Sequence, residues 1–413
     1  FESVTFNRGR GKKIEHIKSI DYPHSLGALY ATVTEHLGFR SNSDEWKVMA
    51  MASYADGDNE YYQRMKNDVV RLRDEGMFEL DLRFFKGYLH EQPDIYTRLF
   101  LDVFGPARRK DDEMDDRHYR IAAALQKISE DVAVHMLNWL HKETGEENLA
   151  LSGGFFMNSV FNGKVLELTP FKKVFVSSCP DDSGNCFGAA AYVYNHVLGH
   201  DRIEPMRHNY YGPAYTDEEI EKALKGYKLA YARSDDVASD AARLLADGMI
   251  VGWFQGRMEF GQRALGSRSI LADPRRKDMQ DKVNSAVKFR EGFRPFAPAV
   301  LQERQEEFFE TGGGGDVPFM EKVYPVRKDK QSLIPAVVHV DGSGRMQTVY
   351  KDTSPKYYAL IEEFGRLTGV PVILNTSFNL NGEPVVCSPK DAVRTFYSCG
   401  LDALVIGDFI VTK

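Results

Sequence analysis

The residues best suited to chemistry begin with a run of cations. Between Arg257 and Arg294 the chain gathers Arg257, Arg263, Arg268, Arg275, Arg276, Lys288, Arg290 and Arg294 among glycines and aromatic residues. Guanidinium groups present a fixed fork of donors that matches phosphate oxygens, and glycine turns let the backbone approach such a group closely. The competing reading is a surface belt of ion pairs with Glu259, Asp273 and Glu291. Surface pairs contribute only about 0 to 1 kcal/mol each, and they do not need the apolar neighbours Phe260, Leu265, Phe293 and Phe296. The mixture predicts a partly buried anion pocket. Downstream, Asp341, Arg345 and Gln347 share one polar stretch, and Asn375, Thr376, Ser377 and Asn379 follow an apolar run. Hydroxyls, amides and exposed backbone N–H groups at a strand end can hold the phosphates and ribose of a nucleotide. The same residue types also make ordinary turn caps.

The first half carries two glycine turns, Ser152-Gly153-Gly154 and the stretch from Pro180 to Gly184 with the carboxylates Asp181 and Asp182. Each lies between a strand-like and a helix-like run, where backbone amides and a helix start can approach phosphate. One such turn is a weak signal; two of them with adjacent carboxylates favour a nucleotide or metal site. His24 and Ser25 open a helical run, and His24 reads either as a capping or core residue or as an acid–base group. Cys179, Cys186, Cys387 and Cys399 are too few and too scattered for a disulfide framework. Cys179 and Cys186 lack the spacing of a zinc site and read as core packing.

Alternating strands and helices must position these groups. Ile121, Leu125, Ile128, Val132, Met136 and Leu140 recur at helical steps and predict a long amphipathic helix over 117–144, stopped by Gly145. Runs at 148–151 and 172–176 read as strands, each followed by a glycine turn and a helix. In the second half, 249–256, 268–274, 296–301, 371–378 and 403–411 read as strands, and Thr216 with Glu219 makes a capping box. The polar stretch 199–216 marks a boundary and predicts domains over 1–205 and 206–413. Thr311 to Asp316, TGGGGD, reads as a mobile surface loop, and the charge run from Arg108 to His118 as a solvated connection.

At 413 residues the chain is too long for one ordinary core, and 43% hydrophobic with 12% aromatic residues excludes wholesale disorder. A net charge of −7 argues against a dedicated nucleic-acid binder. No apolar run approaches the roughly 18 residues of a membrane-spanning helix. The expected location is the cytoplasm, with no membrane or nucleic-acid partner.

Taken in order, PHSLGALYATVTEHLGF, DEWKVMAMASY, YRIAAALQKISE, LSGGFFMN, PDDSGNCFGAA, GRMEFGQRALGSRSILADPR, FREGFRPFAPAV, DGSGRMQTV and LNTSFNLNGEPVVCSP run over nearly the whole chain. Together they resemble the O-carbamoyltransferases that decorate nodulation factors, antibiotics and related natural products. The resemblance implies an α/β protein in two parts. The first is the C-terminal portion of an actin/sugar-kinase-like (ribonuclease H-like) domain, similar to the enzyme that places threonylcarbamoyl groups on tRNA. The second is similar to the α/β threonylcarbamoyl-adenylate synthases. In such enzymes the second domain joins carbamoyl phosphate and ATP into carbamoyl-adenylate with loss of pyrophosphate, and the first transfers the carbamoyl group to an acceptor hydroxyl.

Carried over residue by residue, the resemblance puts phosphate and carbamoyl contacts on Arg263, Lys288, Arg294, Arg345 and Ser377, with Arg257, Arg268 and Asn375 as neighbours. In the first domain the family's Gly-Gly turn falls on Gly153 and Gly154, its Asn on Asn158 and its metal-binding Asp on Asp182. The catalytic set is then Arg263, Lys288, Arg294 and His24. The implied cofactors are ATP and carbamoyl phosphate as co-substrates, Mg²⁺, and a divalent transition metal such as Fe²⁺ in the first domain. The remaining ligands of that metal are expected upstream of this chain, supplied for instance by a separate N-terminal fragment. The expected partner is a small-molecule hydroxyl acceptor, a sugar or natural product, and the helix over 117–144 is a candidate for pairing in a homodimer. Two other readings stand beside this one: an actin-like sugar kinase or ATPase that releases ADP, and a non-catalytic nucleotide-binding partner subunit.

Overall fold

A computed structural model describes residues 1–89, 94–289 and 291–413. The backbone divides into two compact units, Phe1–Val176 with Pro180–Glu204, and Ser177–Cys179 with Pro205–Lys413.

The first unit opens with an antiparallel hairpin of β1 (Glu2–Arg10) and β2 (Lys13–Asp21). Helix α1 (Leu26–His36) follows, started by Ser25, whose Oγ accepts the Ala28 N–H. The long apolar stripe forms α2 (Asp116–Thr144). A capping box between Asp115 and His118 starts it, and Gly145 in the left-handed region ends it. His118, the last residue of the charge run, is buried in the first turn of this helix, and Arg108 winds the run around itself by donating to the Leu37, Lys110 and Asp112 carbonyls. Two strand–turn–helix units close the fold. Strand β3 (Asn148–Leu151) lies parallel to β4 (Lys173–Val176), with α3 (Ser159–Leu168) between them and α4 (Asn185–Ala191) after the second.

The second unit is built on a mixed sheet of eight strands: β5 (Ala232–Arg233), β6 (Val251–Phe254), β7 (Arg268–Ala272), β8 (Ala297–Leu301), β9 (Gln347–Val349), β10 (Val372–Ser377), β11 (Ala403–Ile406) and β12 (Phe409–Thr412). Their spatial order is β9-β8-β10-β7-β6-β11-β12-β5. Strands β8 and β9 are parallel, as are β6 and β11; the other pairs are antiparallel. The central strands read as unbroken apolar runs because both faces are covered. Helices α6 (Val237–Ala246) and α7 (Pro355–Thr368) pack on Val251, Trp253, Leu271, Ile373, Ala403 and Val405. Helices α5 (Asp217–Gly226) and α8 (Pro389–Tyr397) pack on the alternate residues Phe254, Leu404 and Ile406. Thr216 and Glu219 form the capping box at the start of α5.

Three expectations need correction. The run 403–411 is two strands, folded back at Gly407 with φ 56°. The TGGGGD stretch is anchored: Thr311, Gly314 and Gly315 are buried, and the Gly314 carbonyl accepts the Tyr324 hydroxyl at 2.7 Å and the Lys322 ammonium at 3.3 Å. A carbonyl so placed must find donors, and two side chains supply them. Cys179 is buried as expected, but Cys186 is exposed on α4, so packing explains only the first. Among the described residues no helix is long and apolar enough to cross a membrane.

Candidate functional site

Register decides which of the cations meet. Ala297 pairs with Asn375, Ser377 with Ser269, Ala299 with Gln347, and Phe254 with both Arg268 and Ile406. The starts of β7, β8 and β9 and the ends of β6, β10 and β11 therefore share one end of the sheet. Arg263 precedes β7 there, Arg294 precedes β8, Arg345 precedes β9, Asn375 and Ser377 end β10, and Arg257 follows β6. Arg275 and Arg276 follow β7 instead and belong to the opposite end. They pair with Asp273 at 2.7 Å and Asp278 at 3.2 Å, so the dense cationic run is two groups in space. Arg290 lies outside the described residues.

At the shared end the backbone of residues 264–268, which leads from the Arg263 loop into β7, is held at most of its polar groups. Asn375 Nδ2 donates to the Ala264 carbonyl at 3.0 Å, and Gln347 Nε2 and the Tyr210 hydroxyl both donate to Leu265, at 2.9 and 3.0 Å. The Trp253 indole donates to the Gly266 carbonyl at 2.8 Å, and the Gly266 N–H donates to Ser269 Oγ at 3.1 Å. Gly266 has φ 101° and lies against the Tyr357 ring, so both its conformation and its space require glycine.

This scaffold presents Arg263, which is partly buried and has no hydrogen bond or ion pair among the described residues. Burial draws its pKa down to about 10, which leaves it cationic at neutral pH. Arg268 is different. At 0% exposure its guanidinium donates to the Gln255, Gly256, Ser267 and Pro213 carbonyls and stacks on Phe254 at 3.6 Å. Asn375, 1% exposed, braces the Arg263 loop.

Lys288 and Ser377 do come together. The buried ammonium donates to the Ser377 carbonyl at 2.6 Å and hydroxyl at 3.3 Å, and to Asn379 Oδ1 at 2.8 Å. Arg294 pairs with Glu291 at 3.1 Å. Arg345 lies near His339, whose pKa falls to about 4 chiefly through burial, Asp341 opposing and Arg345 adding to the fall. Arg257 is exposed and donates to the Tyr211 carbonyl at 3.0 Å.

In the first unit the Gly153 N–H and the Ser152 hydroxyl both donate to the Pro180 carbonyl, at 2.6 and 3.2 Å, which ties the two glycine turns together. Asn158 is buried, caps α3 through the Phe161 N–H, and joins a network with Gln126, Tyr30, Glu130 and Lys164. His24 Nδ1 accepts the Leu80 N–H at 3.1 Å. Asp182 is exposed, and among the described residues no group of three or more His, Cys, Asp or Glu side chains could hold a metal ion. These residues by themselves do not make a divalent-metal site.

Sequence reasoning misses Tyr210 and Trp253 as braces of the Arg263 loop, Tyr210 because it falls in a stretch that reads as linker. It also misses His196 and His200, spaced four apart. Their rings stack on Tyr192 and Tyr194 at 4.4 Å, and His196 Nδ1 accepts the Ile14 N–H. Glu259, read as one partner in an ion-pair belt, bonds backbone amides instead.

Comparison with known proteins agrees with this division. Residues 5–191 match the family described as carbamoyltransferase N-terminus, and residues 242–413 match carbamoyltransferase C-terminus. The nodulation protein NolO of Bradyrhizobium diazoefficiens is 39% identical over 98% of this chain and 72% of that one. The nodulation protein NolNO of Sinorhizobium fredii is 39% identical over 100% of this chain and 59% of that one. An uncharacterized protein of Synechocystis is 38% identical over 98% and 70%. The chain belongs to the carbamoyltransferase family and is an enzyme of that class.

Proposed function

We propose that the second unit forms carbamoyl-adenylate from carbamoyl phosphate and ATP, and that the first unit carries the carbamoyl group to a hydroxyl of a small-molecule acceptor, a sugar or natural product. In this reading the first unit is the C-terminal portion of an actin-like domain, and the second is akin to the threonylcarbamoyl-adenylate synthases. The net first step consumes water and releases pyrophosphate and inorganic phosphate. The observation that carries the reading is Arg263: a partly buried cation without a protein partner among the described residues, on a loop whose two flanks are held, at a sheet end that also gathers Lys288, Arg294 and Arg345.

Two polyanions repel strongly when brought together away from water. Arg263, with Arg294 and Arg345 at the same sheet end, offsets that repulsion and stabilises the charge that moves onto the leaving pyrophosphate. Lys288 holds the end of β10 through Ser377 and Asn379, which fixes the wall against which the phosphates would lie. Transfer to the acceptor is a matter of alignment. The paired turns at Gly153 and Pro180 offer open backbone for the AMP leaving group.

The test is pyrophosphate and AMP formation by the full chain with ATP, Mg²⁺ and carbamoyl phosphate. Arg263→Ala is expected to lower it about 100-fold, the loss of roughly 3 kcal/mol of transition-state stabilisation. Undiminished release by that variant, or ADP as the product, overturns the reading.

A further inference from the structure

Glu259 is 8% exposed and has no lysine or arginine in ion-pair contact among the described residues. Its Oε1 instead accepts three backbone N–H groups, from Leu265 at 2.7 Å, Ser267 at 2.8 Å and Arg268 at 3.3 Å. Convergent amides of this kind are the usual seat of a free anion; here the chain fills the seat with its own carboxylate. Burying a carboxylate is costly unless hydrogen bonds compensate it, so the arrangement is built for a shape that needs it.

That shape is the span carrying Arg263. On its N-terminal side the Phe260 N–H donates to the Asn209 carbonyl at 2.7 Å, and the Met258 N–H donates to Pro213 at 2.9 Å. On its C-terminal side Glu259 and Asn375 hold residues 264–268. Only Gly261, Gln262 and Arg263 lie between the two clamps, with Gly261 at φ 135°. We infer that Glu259 is a positioning residue for the anion site: by gathering the Leu265, Ser267 and Arg268 amides it sets where the Arg263 guanidinium stands. The inference rests on the adenylate-forming reading above. A misplacement near 1 Å at a reacting centre costs about 100-fold in rate, so a carboxylate that never touches substrate still governs turnover.

The experiment is a mutant cycle on the full chain with Arg263→Ala, Glu259→Ala, Glu259→Gln and the double variant Glu259→Ala/Arg263→Ala. It reads kcat and KM for carbamoyl-phosphate-dependent pyrophosphate release, with thermal melting alongside. Glu259→Ala is expected to lower kcat/KM about 30-fold, mainly in kcat, and Glu259→Gln about 10-fold, because an amide oxygen still accepts N–H bonds without the charge. The double variant is expected to be no worse than Arg263→Ala within about twofold, since residues acting through one group do not add. Glu259 variants within about twofold of wild type while Arg263→Ala is impaired, or losses that multiply in the double variant, overturn the positioning role. Full activity of Arg263→Ala, or a wild-type chain that releases no pyrophosphate, overturns the parent reading and this inference with it. Should Glu259→Ala not fold, the cycle with Glu259→Gln decides by the same criteria.

Discussion

At Gly153 and Gly154 in the first unit, a side chain added to the backbone would meet no atom within 4 Å, whereas at Gly266 in the second it would lie 2.3 Å from the Tyr357 ring. Both stretches are glycine turns at strand ends, and in sequence both suit phosphate. The first leaves its backbone open and is tied only at its base, to Pro180. The second is packed, and its glycines serve the loop's own fit, while the anion-seeking group is a side chain. Glycine in a turn therefore has two distinct uses: to clear space for a ligand, or to let the protein close upon itself.

Buried charge, by contrast, is common to both units: Glu130 in the first is 6% exposed and pairs with Lys164 at 2.8 Å. The second unit buries the ionisable groups Glu259, Arg268 and Lys288 near its candidate site: Glu259 accepts backbone amides, the terminal nitrogens of Arg268 donate to carbonyls while its Nε has no partner among the described residues, and Lys288 donates to oxygens of Ser377 and Asn379. In the first unit, His36 at 0% exposure stays neutral: burial chiefly, with Arg117 and His118, brings its pKa to about 4 against the pull of the Gly105 carbonyl.

Gly266→Ala bears most heavily on this contrast. It forces a methyl into the Tyr357 ring at a positive φ, and chemical denaturation should show a loss of about 2 to 5 kcal/mol. A loss below about 0.5 kcal/mol would mean the loop is not packed as described. Acidification comes next. His36 titrates near 6.5 when unfolded and near 4 when folded, so the unfolded chain takes up the proton first. Its effect is absent above about pH 6.5 and removes stability as pH falls toward 4, by on the order of 3 kcal/mol. Denaturation midpoints of wild type and His36→Gln, followed from pH 7.5 to 4.5, should converge on acidification; parallel curves would refute the buried neutral ring. Asn158→Ala removes a helix cap and leaves Gln126 short of a partner, for about 2 kcal/mol, read as a lower melting temperature. Gly154→Ala is the smallest. With open space and no positive φ, it should change stability by less than about 0.5 kcal/mol. If the same variant impairs carbamoyl transfer while pyrophosphate release persists, the open turn is a contact for the leaving group.

Much of the fold was legible beforehand. The 117–144 stripe, the Thr216 capping box and the buried strand runs are local patterns, each imposed by the period of one element. The candidate site was legible only in its parts. Arg268 and Arg263 look equivalent in sequence, yet one guanidinium is surrounded by carbonyls and the other has no protein partner among the described residues. Glu259 looks like a counter-ion for arginine and proves to bind amides, because its neighbours in space are set by a turn that spacing does not reveal.

The amino-acid sequence alone determined the element periods, the mixed α/β character and the supply of cations, because burial pattern, caps and composition act over a few residues at a time. Which cations share a site was decided by the tertiary structure. Strand β7 has five residues at roughly 3.3 Å each, so Arg275 and Arg276 lie roughly 15 Å from Arg268 at the far end of the sheet. Arg294 and Arg345, distant in the chain, are brought to the near end by parallel pairing of β8 with β9. Strand order and register are collective properties of the whole sheet, fixed by what both of its faces bury, and no local stretch of sequence carries them.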